Sequence, residues 1–480
     1  MTKYAKTRFL SILEAGSYNA FFIGTQGFIF TSIALYFNAS PLFISIMTSF
    51  PIIAQMFQIF SSRINQFIGS KKKSLVINAF ISRTLFVLLP IFIFFDVRSE
   101  YIMLIIILLF SFFGTFVGNT WTVLIRSVVP FEQRGKYFGL RNIFASITGI
   151  IMLYLYSMFL EFPNFKTGLL LVTSFMAIFS VLSAFLLVKH EFPEESEKIS
   201  SVNLNIFTPF KDRNFKNFLL FMFVWSFAIE FVRPYFAYYE VAILNINYQF
   251  LGNMGIITSV ISVFLYLFYG IVADRFGSKN VLSLGILLST FSPMMYFLMN
   301  ESNYRSILLL NAIFAAFAWS AINLAIFNLL LEISKEPSEN YIAANSFVAG
   351  IAAIFGSLSG GFLANHLENI EINFMGDPYH GIQLIFIIGF VLRIISVILL
   401  TEVEAMEKPI RYKGIFSPEA ALFKRREINF PFDFFRRNGK KVKKNELPLS
   451  ADLEKEEKSQ VVPEVPEEGK SQVVPNNNKE

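Results

Sequence analysis

The chain has 480 residues, a formal net charge of +6 and 54% hydrophobic residues, among them 60 phenylalanines, whereas only 16% of its residues are charged. Soluble domains carry about 25% charged residues, so this composition excludes an ordinary soluble protein and favours a lipid bilayer as the solvent. The absence of cysteine excludes disulfides, thiolate metal sites and a cysteine nucleophile.

Twelve apolar segments follow one another along the chain. Each contains about 20 residues or more, which is enough to cross roughly 30 Å of hydrocarbon as a helix. The short alternating strands that a β-barrel requires are not seen in the sequence. We therefore predict an all-α membrane protein with twelve transmembrane helices. The predicted spans are residues 12–37, 41–61, 74–95, 101–126, 138–160, 166–189, 216–241, 250–272, 279–299, 306–331, 341–364 and 381–401.

Basic residues predict the orientation of the chain, because short cytoplasmic loops are enriched in lysine and arginine. If the N-terminus is inside, the alternate loops on the cytoplasmic side carry most of the bases that lie between spans. The opposite loops hold few bases, such as Arg98, Lys166 and Arg305. Both termini are therefore expected in the cytoplasm, and the protein is expected to be a multi-pass protein of the cell (inner) membrane.

A polar stretch after the sixth span, Lys189–Asn217, divides the spans into six plus six. The loops after the second and eighth spans, "SRINQFIGSK" (Ser62–Lys71) and "GIVADRFGSK" (Gly270–Lys279), both end in Gly-Ser-Lys. Similar loops at corresponding places predict a duplicated six-helix unit. The predicted organisation is an N-terminal tail (1–11), a six-helix bundle (12–189), a linker (190–215), a second six-helix bundle (216–401) and a cytoplasmic tail (402–480).

The tail contains nine bases between Lys424 and Lys444, interleaved with phenylalanines. Beside a spanning helix, this composition favours adsorption to the anionic headgroups of membrane lipids. RNA binding is the less favoured alternative, so no nucleic acid is expected as a partner. The last residues are acidic and rich in proline and asparagine, a composition for which disorder is expected.

The loop between the eighth and ninth spans resembles that of the major facilitator superfamily of secondary transporters. The family pattern Gly-x-x-x-Asp-Arg-x-Gly-x-Lys/Arg is matched at five positions, which are Gly270, Asp274, Arg275, Gly277 and Lys279. The loop after the fourth span is similar to its family counterpart at Pro130, Arg134 and Gly135, and the seventh span looks like that of a bacterial branch of uncertain substrate. The resemblance covers roughly residues 11–401.

The resemblance implies a gating role for these loops. It implies that Asp274 faces the N-terminus of the eleventh span near Ser338–Tyr341 and acts as a latch that closes the cytoplasmic side. In the first-half loop, which contains Gly69, the acid of the pattern is replaced by Gln66. The second-half latch is therefore expected to dominate. The fifth span also lacks the Gly-Pro signature of the family's proton-coupled drug antiporters, which makes an antiporter function less favoured without excluding it.

Ionisable groups inside spans are costly unless they are paired or hydrated, so each is a candidate functional group. On the seventh span, Glu230 and Arg233 lie three residues apart on one helical face, with Trp225 about one turn earlier and Pro234 just beyond. Glu230 is expected to be either a proton-coupling carboxylate or half of a fixed ion pair that orients the helix. Both interpretations stay open at this stage.

In the superfamily, the first, fourth, seventh and tenth spans line the central cavity. The resemblance therefore adds the polar and aromatic groups of these spans as substrate-binding candidates: Asn19, Gln26, Asn119, Trp225, Trp319 and Asn323. For each of them, helix packing is the alternative. Three further intramembrane charges are assigned to structure: Arg83 and Arg393 to interhelical ion pairs or lipid headgroups, and Glu14 to the positive N-terminus of its helix.

These features predict a secondary active transporter of a small organic solute, coupled to an ion gradient, with a sugar as the first expectation. The alternatives are a proton-linked exporter of amphipathic compounds and a transporter-like receptor that signals through its tail. No phosphate-binding loop, metal-ligand spacing or catalytic constellation is present in the sequence. We therefore expect neither an enzyme nor a cofactor or metal, and we expect a monomer.

Overall fold

A computed structural model of the chain describes residues 4–130, 133–197, 206–335, 338–368, 370–374 and 377–405. The α-helices are α1 (Ala5–Phe22), α2 (Gly27–Tyr36), α3 (Pro41–Ala54), α4 (Ser61–Ile68), α5 (Lys71–Thr84), α6 (Leu88–Phe94), α7 (Glu100–Val128), α8 (Arg134–Leu160), α9 (Phe165–Val188), α10 (Glu194–Glu197), α11 (Arg213–Tyr238), α12 (Tyr248–Phe276), α13 (Ser278–Ser289), α14 (Phe291–Phe297), α15 (Tyr304–Ile333), α16 (Ser338–Leu367) and α17 (Gln383–Thr401). The 3-10 segments are Ile23–Thr25, Gln55–Phe60, Leu85–Val87 and Thr208–Lys211, and Tyr239–Ile243 is a π-helix.

Eleven helical stretches of the described residues are long and apolar enough to cross a membrane. The shorter apolar helix α2 continues the first predicted span, which is divided by the 3-10 turn Ile23–Thr25. The break falls where Gln26 is extended and Gly27 takes a φ of +53°, a conformation open to glycine. The all-α multi-pass fold is thus confirmed, whereas the count of twelve helices and the side of the termini stay predictions.

Several predicted boundaries differ from the observed elements. Helix α1 already begins at Ala5, inside the predicted N-terminal tail, and α11 begins at Arg213, inside the predicted linker. Between α16 and α17 lies an antiparallel hairpin of β1 (Glu371–Phe374) and β2 (Asp377–His380), paired from Glu371 opposite His380. Most of the predicted tail, including its basic segment 424–444, lies outside the described residues.

Arg393 on α17 caps a helix break and forms no ion pair with the described residues. Pro293 has no N–H to donate to the carbonyl of Ser289 four residues earlier, and α13 ends at that residue. The Arg393 guanidinium donates to this freed carbonyl, and the side chain is only 2% exposed. Arg393 therefore satisfies a backbone acceptor, which differs from the ion pair or headgroup contact expected for it.

Helices α1–α9 contact helices α11–α17 mainly through two antiparallel helix pairs, α3 with α16 and α8 with α12, and α11 also contacts α2 and α3. In the first pair, Ser45 Oγ donates to the Ser357 carbonyl at 2.9 Å, and Gln58 Nε2 donates to Ser346 Oγ at 2.8 Å. The first pair runs from the end of the bundle at which α3 and α12 begin as far as Gln58 and Ser346, and the second pair lies toward that same end, where a Cβ at Gly252 would meet Ser157. We call this end, marked by residues 37–40, 161–164 and 244–247, the closed end.

Toward the opposite end, α4 packs on helices of its own half, α5 and α7. This end contains the loops around Gly69, Gly135 and Gly277, and a Cβ added at any of these glycines would meet no atom within 4 Å. We call it the far end.

Helix α16 supports the close packing through a Gly-x-x-x-Gly pair, Gly356 and Gly360. A Cβ at Gly356 would lie 2.8 Å from the Phe227 carbonyl oxygen of α11, and one at Gly360 would lie 2.4 Å from that of Phe231. Such small residues let helix backbones approach closely in a membrane. The pair therefore fixes α11 against α16, with Glu230 at their contact.

Candidate functional site

A buried ionic cluster joins four helices of the first half. Glu14 on α1 accepts hydrogen bonds through Oε1 from Arg83 Nη2 on α5 at 3.0 Å and from Ser183 Oγ on α9 at 3.1 Å. Its Oε2 accepts from Arg141 Nη2 on α8 at 3.2 Å. Glu14 and Arg83 are 3% and 4% exposed, and Arg141 is 18% exposed. One carboxylate thus pairs with two guanidinium groups.

Two aromatic rings cover the guanidinium groups of this cluster. Arg83 Cζ lies 5.1 Å from the ring centre of Tyr18, and Arg141 Cζ lies 4.2 Å from that of Trp121. These distances fit cation–π contacts, which partly replace the water that a buried cation has lost. A cavity of about 200 Å³ adjoins the cluster, and Phe110, Gly114, Val117 and Gly118 of α7 complete its wall.

This cavity is the arrangement that sequence reasoning missed. The interhelical ion pair expected for Arg83 is confirmed, but its partner is Glu14, for which a different role was expected. Arg141 lies about one turn inside the predicted fifth span, 138–160, and was not singled out as an intramembrane charge. The usable signal was the presence of three charges on separate apolar helices; their proximity depends on helix packing.

The pair predicted on the seventh span forms on α11. Glu230 Oε2 accepts from Arg233 Nη2 at 2.7 Å, Glu230 is fully buried and Arg233 is 35% exposed. Arg233 also donates to the Thr48 carbonyl of α3, in the other half. The second carboxylate oxygen of Glu230 has no hydrogen-bond partner in the part of the chain that the structure describes. The structure therefore shows an ion pair whose cation reaches across the contact between the halves near the closed end.

The predicted amide candidates mainly form contacts between or within helices. Asn19 Nδ2 donates to the Ala145 carbonyl at 2.6 Å, and a Cβ at Gly149 would lie 2.3 Å from the same nitrogen. Gln26 Nε2 donates to Thr25 Oγ1 at 3.3 Å. The Asn119 amide lies 3.5 Å from the Gln58 carbonyl. These contacts support the packing interpretation for Asn19 and bring none of the three amides to the Glu14 cluster.

The second-half candidates form a separate group. The rings of Trp225 and Trp319 lie 6.3 Å apart, and Trp225 is 4% exposed. Asn323, one turn beyond Trp319 on α15, is exposed and donates to Tyr266 Oη at 3.2 Å. The structure thus places the Trp225 ring of α11 beside the Trp319 ring of α15, a contact that the sequence did not predict.

The predicted gating loops lie at the far end. Asp274 and Arg275 are exposed, and Asp274 forms no hydrogen bond or ion pair with the described residues. Lys279 Nζ donates to the Thr401 carbonyl at 2.9 Å. Arg134 donates to the carbonyls of Val129 and Arg126 at 3.4 and 3.1 Å. In this conformation the loop of Asp274 therefore forms no latch with the described part of α16.

A charged contact at the start of α11 stabilises the same end of the second half. Asp212 accepts hydrogen bonds from the backbone amides of Asn214 and Phe215 and lies 2.7 Å from Lys335 Nζ. Burial raises the pKa of Asp212, but the hydrogen bonds from Lys335 and the two amides outweigh it and hold that pKa below its usual range. The same contact raises the pKa of Lys335.

Comparisons with known proteins point to one family. The profile described as Major Facilitator Superfamily matches residues 15–243 and 218–432. Similar solved structures include the nucleoside transporter NupG, at 15% identity and a TM-score of 0.60, covering 84% of this chain and 99% of that one. A D-xylose–proton symporter is 14% identical, with a TM-score of 0.62 and coverage of 84% and 99%. An inward-facing bacterial homologue of the human lysosomal transporter Spinster is 12% identical, with a TM-score of 0.60 and coverage of 84% and 98%. No curated protein matches the sequence.

Proposed function

The chain belongs to the major facilitator superfamily, and we propose that it is a secondary active transporter that moves a small organic solute across the cell membrane by alternating access. The observation that carries this proposal is the asymmetry of the contact between the two halves. The halves meet along the pairs α3/α16 and α8/α12 from the closed end as far as Gln58 and Ser346, whereas α4, which follows, turns to its own half toward the far end. Rocking about such a contact exposes a central site to each side in turn.

Two polar contacts are proposed to stabilise opposite conformations. Arg233, oriented by Glu230, holds the Thr48 carbonyl of the other half and keeps the closed end shut. Asp274 and its loop hold the far end shut in the alternate conformation, where the two halves meet on that side. With the positive-inside orientation, the far end is cytoplasmic and the conformation described is open to the cytoplasm.

Glu230 has two proposed roles, and both are compatible with its contacts. As a coupling group it would release the Thr48 contact on protonation, because a neutral acid holds Arg233 less strongly. As a fixed partner it would only orient Arg233. The free second oxygen of Glu230 favours the coupling role, since a proton has a site there that needs no rearrangement of the ion pair.

The test is uptake by reconstituted protein. Proteoliposomes should accumulate a solute when a pH or sodium gradient is imposed, and D-xylose and nucleosides, the solutes named for two structural neighbours, are the first probes of a wider panel. Glu230→Gln should abolish accumulation under a proton gradient while exchange of solute between equal pools persists. Undiminished proton-driven uptake in this variant would eliminate the coupling role.

The same preparation separates the rival functions. A chain ending after Ala405 should still transport, because it keeps the last helix, the buried Val403 and the contacts of Glu404 with Asn214. Binding without flux in both forms would contradict transport and favour a receptor that signals through its tail. Outward movement of amphipathic dyes, with no uptake of polar solutes, would instead identify an exporter.

A further inference from the structure

The cavity beside Glu14 carries more positive charge than negative. Its charged wall residues are Glu14, Arg83 and Arg141, so one carboxylate faces two guanidinium groups. Arginine stays protonated in proteins, and an unbalanced cation inside an apolar bundle is costly. Both oxygens of Glu14 already accept hydrogen bonds, which leaves the carboxylate with limited further capacity. The cluster can therefore accommodate one more negative charge.

Two buried donors in the same place have no acceptor among the described residues. Arg141 Nε and the indole Nε1 of Trp121 are buried and form no hydrogen bond within this part of the chain. The Arg141 guanidinium lies over the Trp121 ring at 4.2 Å, so the two donors belong to one local surface. Buried donors are normally paired with protein or water. An acceptor that entered the cavity would lie beside Arg141 and Trp121, which both line it, and a small rotation of these side chains would bring their donors to it.

The wall of α7 provides space for the rest of such a molecule. A Cβ added at Gly114 or Gly118 would meet no atom within 4 Å. The cavity of about 200 Å³ is larger than the apolar cavity of about 150 Å³ that binds benzene in another protein. Phe110, Val117 and the Tyr18 ring present apolar surface to this space. The size and lining fit a small solute with an apolar body.

We propose that this cavity binds the carboxylate of a small organic monoanion. The proposal rests on the proposed transport function and names the substrate class. The carboxylate accepts from Arg141, whose planar fork matches its geometry, and from the Trp121 indole. One bound negative charge makes the cluster neutral. The apolar body of the solute packs on the α7 wall beside Phe110.

The first experiment measures binding with a matched chemical series. Purified full-length protein is mixed with monocarboxylates from acetate and benzoate to indole-3-acetate, each beside its primary amide, and the apparent Tm is recorded. A ligand of the folded state raises the apparent stability. At least one carboxylate should raise the Tm while its amide does not. Equal effects of every carboxylate and its amide would overturn the proposal.

A fluorescence measurement locates the binding site. The chain has three tryptophans, so Trp225→Phe with Trp319→Phe leaves Trp121 as the only indole. Because Arg141 lies on the Trp121 ring, a carboxylate that pairs with Arg141 should change Trp121 emission at the same concentrations that raise the Tm. Stabilisation without any change in emission would place the anion elsewhere and contradict the proposal.

Charge variants predict opposite changes in affinity. Glu14→Gln removes the competing internal anion and should strengthen carboxylate binding by about tenfold, whereas Arg141→Gln should weaken it by tenfold or more. If the cluster only stabilises the fold, both variants should weaken carboxylate binding. Arg98→Gln is the matched control, because Arg98 pairs with Asp96 near the closed end and is 47% exposed. The affinity of the Arg98→Gln variant for carboxylates should equal that of the parent chain.

The results also separate this proposal from the proposed function. Carboxylate binding that depends on Arg141 but gives no flux in proteoliposomes would support the anion site and contradict transport. Flux of neutral solutes that neither carboxylates nor Arg141→Gln affect would support transport and overturn the anion site.

Discussion

Gly361 on α16 provides the sharpest test of the contact between the halves. A Cβ added there would lie 2.6 Å from Leu42 Cδ1, 2.9 Å from Leu42 Cα and 3.4 Å from Ser45 Cβ, all on α3 of the other half. The Leu42 side chain can rotate, but its Cα belongs to the backbone. Carbon atoms pack at about 3.5–4.0 Å. Gly361→Ala therefore requires the helices to separate by roughly 1 Å.

The expected effect is a shift between conformations. Overpacking of this kind costs about 1–3 kcal/mol. Because the clash exists only while the closed end is shut, the cost falls on that conformation alone. The equilibrium should therefore move about 5- to 150-fold toward the conformation in which the closed end opens.

Thiol labelling measures this shift directly. The chain contains no cysteine, so Ser45→Cys introduces a single thiol, at a side chain that is 0% exposed and hydrogen-bonded across the halves. Its reaction with a membrane-impermeant maleimide should be faster in Gly361→Ala. Gly139→Ala is the control, because its added Cβ would meet no atom within 4 Å. Equal labelling rates for Ser45→Cys alone, with Gly361→Ala and with Gly139→Ala would refute the reasoning that this contact separates during transport.

Three further outcomes are expected. In Gly360→Ala the added Cβ meets the Phe231 carbonyl of its own half. The variant should therefore lower the free energy of unfolding by about 1–3 kcal/mol and leave the labelling rate of Ser45→Cys unchanged. Faster labelling would show that a clash within one half displaces the whole of α16 from α3. The lowered pKa of Asp212 means that its stabilising effect is present above the unfolded value of about 3.9 and is lost as the pH falls through the lower folded pKa. Asp212→Asn should accordingly lose stability at pH 7 only through the missing charge contact with Lys335, because asparagine caps a helix about as well as aspartate; it should show a flatter fall of Tm below about pH 4, whereas parallel curves would assign the contact no role. Asp274→Asn should raise the reactivity of cysteines placed in the far-end vestibule, and unchanged labelling would favour a turn with no latch.

The class of the protein and its general organisation follow from the sequence. Long apolar segments can satisfy their backbone groups in lipid only as helices, so composition and segment length determined an all-α membrane protein. The loop pattern Gly270–Lys279 identified the family because glycines and charges at fixed spacing are local features. The Glu230–Arg233 pair was also local, since residues three apart share a helical face.

Only the tertiary structure decided which distant groups meet. Glu14, Arg83 and Arg141 lie on three helices, and no local pattern specifies that their side chains share one cavity. The same is true of Arg233 and the Thr48 carbonyl, which belong to different halves, and of Arg393, whose acceptor was freed by Pro293 on another helix. Helix periodicity determines which side of a helix a residue occupies, whereas helix packing determines its partner. For this reason the fold could be predicted from the sequence, whereas the charged cavity could be identified only in the tertiary structure.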